Sequence, residues 1–265
     1  MNNTFNMNRF GLLLKRQWLD FGKIYLMSFG VLIGILALFY SISLTSDSLK
    51  NISSNTLNFR YPLFLITGFL FASIIANSYF MHLGQKPKAI INILIPASTT
   101  EKFLSAIFYT LIIAIPSYLL CFYVIDFAFV SSVRATHTLT SSYNDYQGKK
   151  VVIDHLAYFF STETVKDFYP FYYVPPLING VFLLGSIFFK SFHYVKTAIS
   201  VMIFGVLWVT SIIFVMQKLT NNTVWVGNHY WQDERNIFLI MSLTGILLTL
   251  LFWFISFIRL KEKEA

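Results

Sequence analysis

Six unbroken apolar runs, at residues 24–45, 61–83, 103–130, 171–189, 197–217 and 236–258, leave this chain few folds to choose from. Each is close to the ~20 helical residues that cross the hydrocarbon core of a bilayer. The runs are continuous, whereas a barrel strand alternates apolar with polar residues, so each predicts a helix. Composition points the same way: 56% of the 265 residues are hydrophobic, 12% are charged and 29 are Phe. Soluble domains carry about 25% charged residues, so water could not cover such a surface. The expected fold class is an all-α membrane protein with six transmembrane helices and an N-terminal amphipathic interfacial helix. The third run is long and contains Pro116, which predicts a tilted or kinked helix.

Residues 1–23 are polar and amphipathic, without the short apolar core and small-residue cleavage site of a signal peptide. The first run is therefore expected to stay in the mature protein. The one cysteine, Cys121, excludes a disulfide within the chain and is too little for a metal site.

Basic residues set the orientation. Segments 1–23, 84–102, 190–196 and 259–265 fall on one side and carry 12 Lys and Arg against 4 acids. Segments 46–60, 131–170 and 218–235 fall on the other, with 8 against 7 in a longer total stretch. The positive-inside rule places the first set, with both termini, in the cytoplasm, and the expected location is the bacterial inner membrane.

Chemistry at depth is scarce. Catalysis or ion-coupled transport inside a bilayer needs ionisable groups there. The runs hold only Asp126, near the outer end of the third, and His82, at the inner end of the second. No run carries Lys or Arg at its middle, and neither a His-Glu-x-x-His pair nor a Walker loop occurs. An enzyme with its own catalytic site is not expected, nor a cofactor, nor a nucleic-acid partner. Whatever energy the chain uses would come from another chain. Thr67, Asn77 and Asp126 are the candidates for lining a path. The plainer readings are a headgroup-level carboxylate in contact with water for Asp126 and helix-to-helix hydrogen bonding for Asn77. Trp225, Tyr230 and Trp231 read as an interfacial aromatic belt.

Two segments say more. In 6–23, Phe10, Leu14, Trp18 and Phe21 recur at three- and four-residue steps, with Arg9, Lys15, Arg16 and Asp20 largely off that stripe. This predicts a basic amphipathic helix in the inner interface. In the link 84–102, an apolar stretch at 90–95 ends at Pro96, and Ser98-Thr99-Thr100-Glu101 forms a capping box that would start the third helix. The outer segment 131–170 is too small for a domain of its own and could hold a short helix around 151–160.

The stretch NILIPASTTEKFLSAIF resembles the segment of ABC type-two exporter permeases in which a Leu-Leu-x-x-Pro-type turn precedes a Ser/Thr-x-x-Glu helix start. LLGSIFFKSFHYVKTAI, between the fourth and fifth runs, is similar to one in small bacterial permeases of that group. The layout matches as well, except that 131–170 is long where many members have a short connection. The resemblance implies a permease subunit that pairs with a second permease copy and with separate ABC ATPase subunits, surrounded by membrane lipids. It implies ATPase docking through the link (Gln85, Lys86, Lys88, Ile91, Ile95, Pro96, Ser98, Glu101) and the N-terminal helix (Arg9, Lys15, Arg16). Spans one, two and five would border the path. The alternative class is a non-transporting polytopic membrane protein, such as an immunity, sensory or assembly factor.

Overall fold

The computed structural model describes residues 5–45, 58–84, 87, 90, 94–136, 140–144, 150–154, 158–161, 171–218 and 234–264. Helix α1, Met7–Thr45, is a single element of 39 residues. At 1.5 Å per residue it is about 58 Å long, roughly twice the hydrocarbon thickness. The amphipathic segment and the first span are thus one helix without an intervening turn, and its first part must project beyond the hydrocarbon. Its inward stripe runs through Leu13, Phe21, Tyr25, Leu32, Leu36 and Tyr40, all buried. Trp18, placed on the stripe by its spacing, lies at the stripe's edge and is 40% exposed.

Helix α2, Arg60–Tyr79, ends in a 3-10 turn at Met81–Gly84. Next comes a long rod in three parts: α3 (Thr99–Ile107), a π-helical segment (Phe108–Ile113) and α4 (Ala114–Thr136). Pro116 explains the middle part. It has no N–H to give the Ile112 carbonyl, and its ring presses on that turn. The wider π segment immediately before it absorbs the conflict.

Helix α5, Val174–Phe188, has only 15 residues, with a proline in its first turn. It is nevertheless central: Asn179, Phe182, Leu183, Ser186 and Ile187 are all buried. A tight turn, in which Phe192 takes a left-handed backbone angle (φ 50°), leads into α6, His193–Lys218. Helix α7, Glu234–Glu264, closes the chain. Contacts place α5 between α2 and α7, with α6 against α5.

The start of α1, the start of α3 and the end of α7 meet at one end of the bundle, called basal below. There Glu101 bonds to Asn6 and Arg9, and Glu264 bonds to Thr99 and Lys102. A chain with both termini at one end crosses an even number of times. Among the described residues five helices are long and apolar enough to span, and the shorter apolar α5 makes six. Burial runs opposite to hydropathy. Among the five long helices, the most apolar, α6, has nothing buried in its spanning window, and the least apolar, α2, is the most enclosed. That is the order expected when lipid, not protein, covers the outermost helices. The chain is an all-α membrane protein.

At the opposite, distal end, β1 (Thr140–Asn144) and β2 (Lys150–Asp154) form an antiparallel hairpin, with Thr140 opposite Asp154 and Asn144 opposite Lys150. The short helix expected over 151–160 is therefore corrected. Val151, Val152 and Ile153 are stiff at χ1 and favour an extended strand, and residues 158–161 form a turn.

Candidate functional site

The basal cluster is built on the expected capping box. Ser98 Oγ accepts from the Glu101 amide at 3.3 Å, and the Ser98 amide donates to Glu101 Oε2 at 2.9 Å. The other carboxylate oxygen receives the Asn6 amide at 2.8 Å and Arg9 Nη2 at 2.9 Å. Burial by itself pushes the Glu101 carboxyl up, but the Ser98 and Asn6 amides and the Arg9 guanidinium more than offset this and hold it below the usual carboxylate value. Beside it, Lys102 Nζ donates to Glu264 at 2.8 Å and Thr99 Oγ1 to the same carboxylate at 2.7 Å. Lys263 donates to the Ile187 carbonyl, which brings in α5. Tyr109 O–H donates to the Leu14 carbonyl at 2.7 Å, and Trp18 stacks on the Tyr109 ring. Four helices are thus tied together where the terminal segments and the link converge.

This arrangement corrects the docking assignment of Glu101. Its side chain is wholly inaccessible and its acceptors are used within the chain, so it offers no carboxylate to a partner. Ser98 and Ile95 are likewise buried. Lys15, Arg16 and Pro96 are exposed, and Arg9 is half-buried. Ile90 and Leu94 stand out at 59% and 72% exposure and extend the accessible surface; the apolar stretch that contains them was its only sequence signal. Gln85, Lys86, Lys88 and Ile91 lie outside the described residues.

The three path candidates are not brought together. A cleft of about 660 Å³ runs between α1 and α2, lined by apolar side chains apart from Ser28 and Thr67. Thr67 borders it, but its hydroxyl is bonded to the Leu63 carbonyl at 2.7 Å and to Tyr118 at 3.0 Å. Asn77 is buried elsewhere on α2, and its Oδ1 has no hydrogen-bond partner among the described residues. Asp126 lies at the distal end and is 2% exposed, so the wet headgroup-level carboxylate is corrected too. Its Oδ1 receives Tyr40 O–H and Arg60 Nη1, each at 3.0 Å, and its Oδ2 receives the Phe159 amide at 2.9 Å. Sequence reasoning missed Arg60, Tyr40 and Phe159. A signal for the first was available: Arg60 and Asp126 are opposite charges at the outer mouths of adjacent predicted spans.

Between the two ends, Asn179 of α5 donates to Thr110 in the π segment at 2.7 Å and accepts from Trp253 of α7 at 3.2 Å. Among the described residues no three His, Cys, Asp or Glu side chains come together to hold a metal ion. Comparison with protein-family models, with curated proteins and with solved structures found no match.

Proposed function

We propose that the chain is the permease subunit of an ATP-binding-cassette exporter, working as a pair of permeases with separate ATPase chains on its basal side. One observation carries this reading: Glu101 clasps the amphipathic start of α1 to the first turn of α3, and from there a single helical rod runs the length of the bundle to Asp126. A displacement of the basal surface therefore has a stiff route to the far end. Exposed Lys15, Arg16, Leu94 and Pro96 supply a basic and apolar surface on which a partner can push. In this reading the basal end is cytoplasmic and the membrane is the bacterial inner membrane, in keeping with the excess of Lys and Arg on that side. The chain contributes no catalytic group, and ATP is hydrolysed by the partner.

The test is purification of the tagged full chain from its native membrane under mild detergent. An ATPase that co-elutes, and whose hydrolysis drives solute movement in proteoliposomes, supports the reading. A chain that elutes without any ATPase, from membranes in which the gene neighbourhood encodes none, overturns it in favour of a non-transporting membrane protein.

A further inference from the structure

The distal end holds a short non-helical piece of chain inside the helix bundle. Phe159 is 2% exposed, and its ring lies 5.3 Å from Tyr61, 5.0 Å from Phe64 and 5.0 Å from Phe122. Phe160 packs on Phe64 at 5.9 Å and on Tyr123 at 6.0 Å. Tyr158 stacks on Phe127 at 5.4 Å, and Arg134 lies 4.8 Å over the face of the Tyr158 ring. Phe159 and Phe160 thus pack between the distal parts of α2 and α4, and Tyr158 lies against α4 alone.

Irregular backbone is tolerated at such a place only when its polar groups are satisfied by protein. The Phe159 amide is satisfied by Asp126, the carboxylate that also holds Arg60 of α2 and Tyr40 of α1. A seam meant to be permanent needs no charge, because well-packed apolar residues serve as well as a buried ion pair or better. A carboxylate shared among three separate segments is a joint that comes apart as a unit when any of them moves.

We propose that Tyr158–Phe159–Phe160 is a plug that seals the distal end of the bundle, and that Asp126 is the catch that holds it. The plug is seated when Asp126 gathers Tyr40, Arg60 and the Phe159 amide. It leaves when α2 and α4 part and the carboxylate loses its donors. The proposal goes beyond the exporter reading and does not require it.

The test uses the full-length chain in proteoliposomes, with Cys121→Ala removing the native thiol and Ser161→Cys, next to the three rings and partly buried, as reporter. The rate of reaction with a membrane-impermeant maleimide is measured, with Ser131→Cys as an exposed control. Adding Asp126→Asn is expected to raise the Ser161→Cys rate about tenfold while leaving the control unchanged. Phe159→Ala keeps the Arg60–Asp126 pair and removes only the central ring, so it provides the same test if Asp126→Asn fails to fold. An unchanged reporter rate in a folded variant of either kind means the segment is a fixed part of the bundle, and the proposal falls. A further arm adds the co-purified ATPase and ATP. A rise with Asp126→Asn but none with ATP leaves the plug standing and counts against the exporter reading alone.

Discussion

Arg9 reaches Glu101 at 2.9 Å, and the pair joins the first turn of α1 to the first turn of α3, with the Glu101 side chain wholly buried. Breaking a buried ion pair costs about 3–5 kcal/mol, but the Arg9 side chain is 35% exposed and keeps part of its hydration. Glu101→Lys is therefore expected to cost about 1–3 kcal/mol and to release the N-terminal segment to protease. Glu101→Gln keeps a capping group and is expected to cost about 1 kcal/mol. Thermal unfolding in detergent checks both. An unchanged midpoint for Glu101→Lys would show that the clasp contributes nothing.

The same carboxylate gives a pH test with a fixed sign. Its value is lowered in the folded protein, so its stabilisation is complete above the unfolded-state value and is lost as pH falls through the folded-state value. The stability gap between the native chain and Glu101→Gln is expected to be full at pH 7 and to close on acidification below about pH 4. A gap that does not change with pH would mean that the charge on Glu101 is not what stabilises.

Lys15 and Arg16 make the opposite prediction. Both are exposed, and removing them leaves no buried group unsatisfied. Reversing their charge is expected to leave the unfolding midpoint within experimental error while weakening ATPase co-elution at least fivefold. If co-elution survives the double reversal, the docking role proposed for this surface is wrong.

Gly185 and Thr197 set how closely α5 and α6 approach. A Cβ on Gly185 would overlap Thr197 Oγ1 and fall 2.7 Å from its Cγ2. Small residues at helix crossings in a bilayer allow such an approach, and overfilling one costs about 1–3 kcal/mol. Gly185→Ala is expected to destabilise by that amount, and adding Thr197→Ala, which removes Oγ1 and Cγ2 but leaves the residue 197 Cβ 2.8 Å away, to recover part of it. Strict additivity of the two substitutions would rule out the contact.

What the sequence made legible here was mostly local. Helix positions followed from apolar runs, and the start of α3 from four residues, Ser98 to Glu101, that satisfy one another. The partner of Glu101 did not follow, because Arg9 is far away in sequence and any basic residue, on this chain or another, would have fitted the same pattern. Asp126 was visible as a charge at the end of a span, but its three donors come from three separate segments, a juxtaposition that only packing creates. Pro116 announced a disturbance, while its form as a π segment depended on neighbours able to hold the wider turn. The central place of α5 was least legible of all. A short apolar run reads the same whether lipid or other helices cover it.

Asn179 tests whether those other helices matter energetically. Its side chain is 1% exposed and spans from Thr110 in the π segment to Trp253 on α7. Hydrogen bonds between transmembrane helices average about 0.6 kcal/mol and reach about 1.7, because the unfolded chain in lipid also finds partners. The upper value is expected here, since one residue serves both neighbours. Asn179→Leu keeps the branched shape and opens no cavity, so the loss comes from polarity and from fitting two methyl groups in place of the amide. It leaves the Trp253 N–H without its acceptor, whereas the Thr110 hydroxyl keeps its bond to the Ala106 carbonyl. The larger share of the loss should therefore lie on the tryptophan side. Asn179→Leu is expected to cost about 1–2 kcal/mol, and Trp253→Phe in that background to cost less than Trp253→Phe alone. Reversible unfolding in mixed micelles across the double-mutant cycle measures the coupling. A coupling of zero would mean that α5 is held at the centre of the bundle by packing alone.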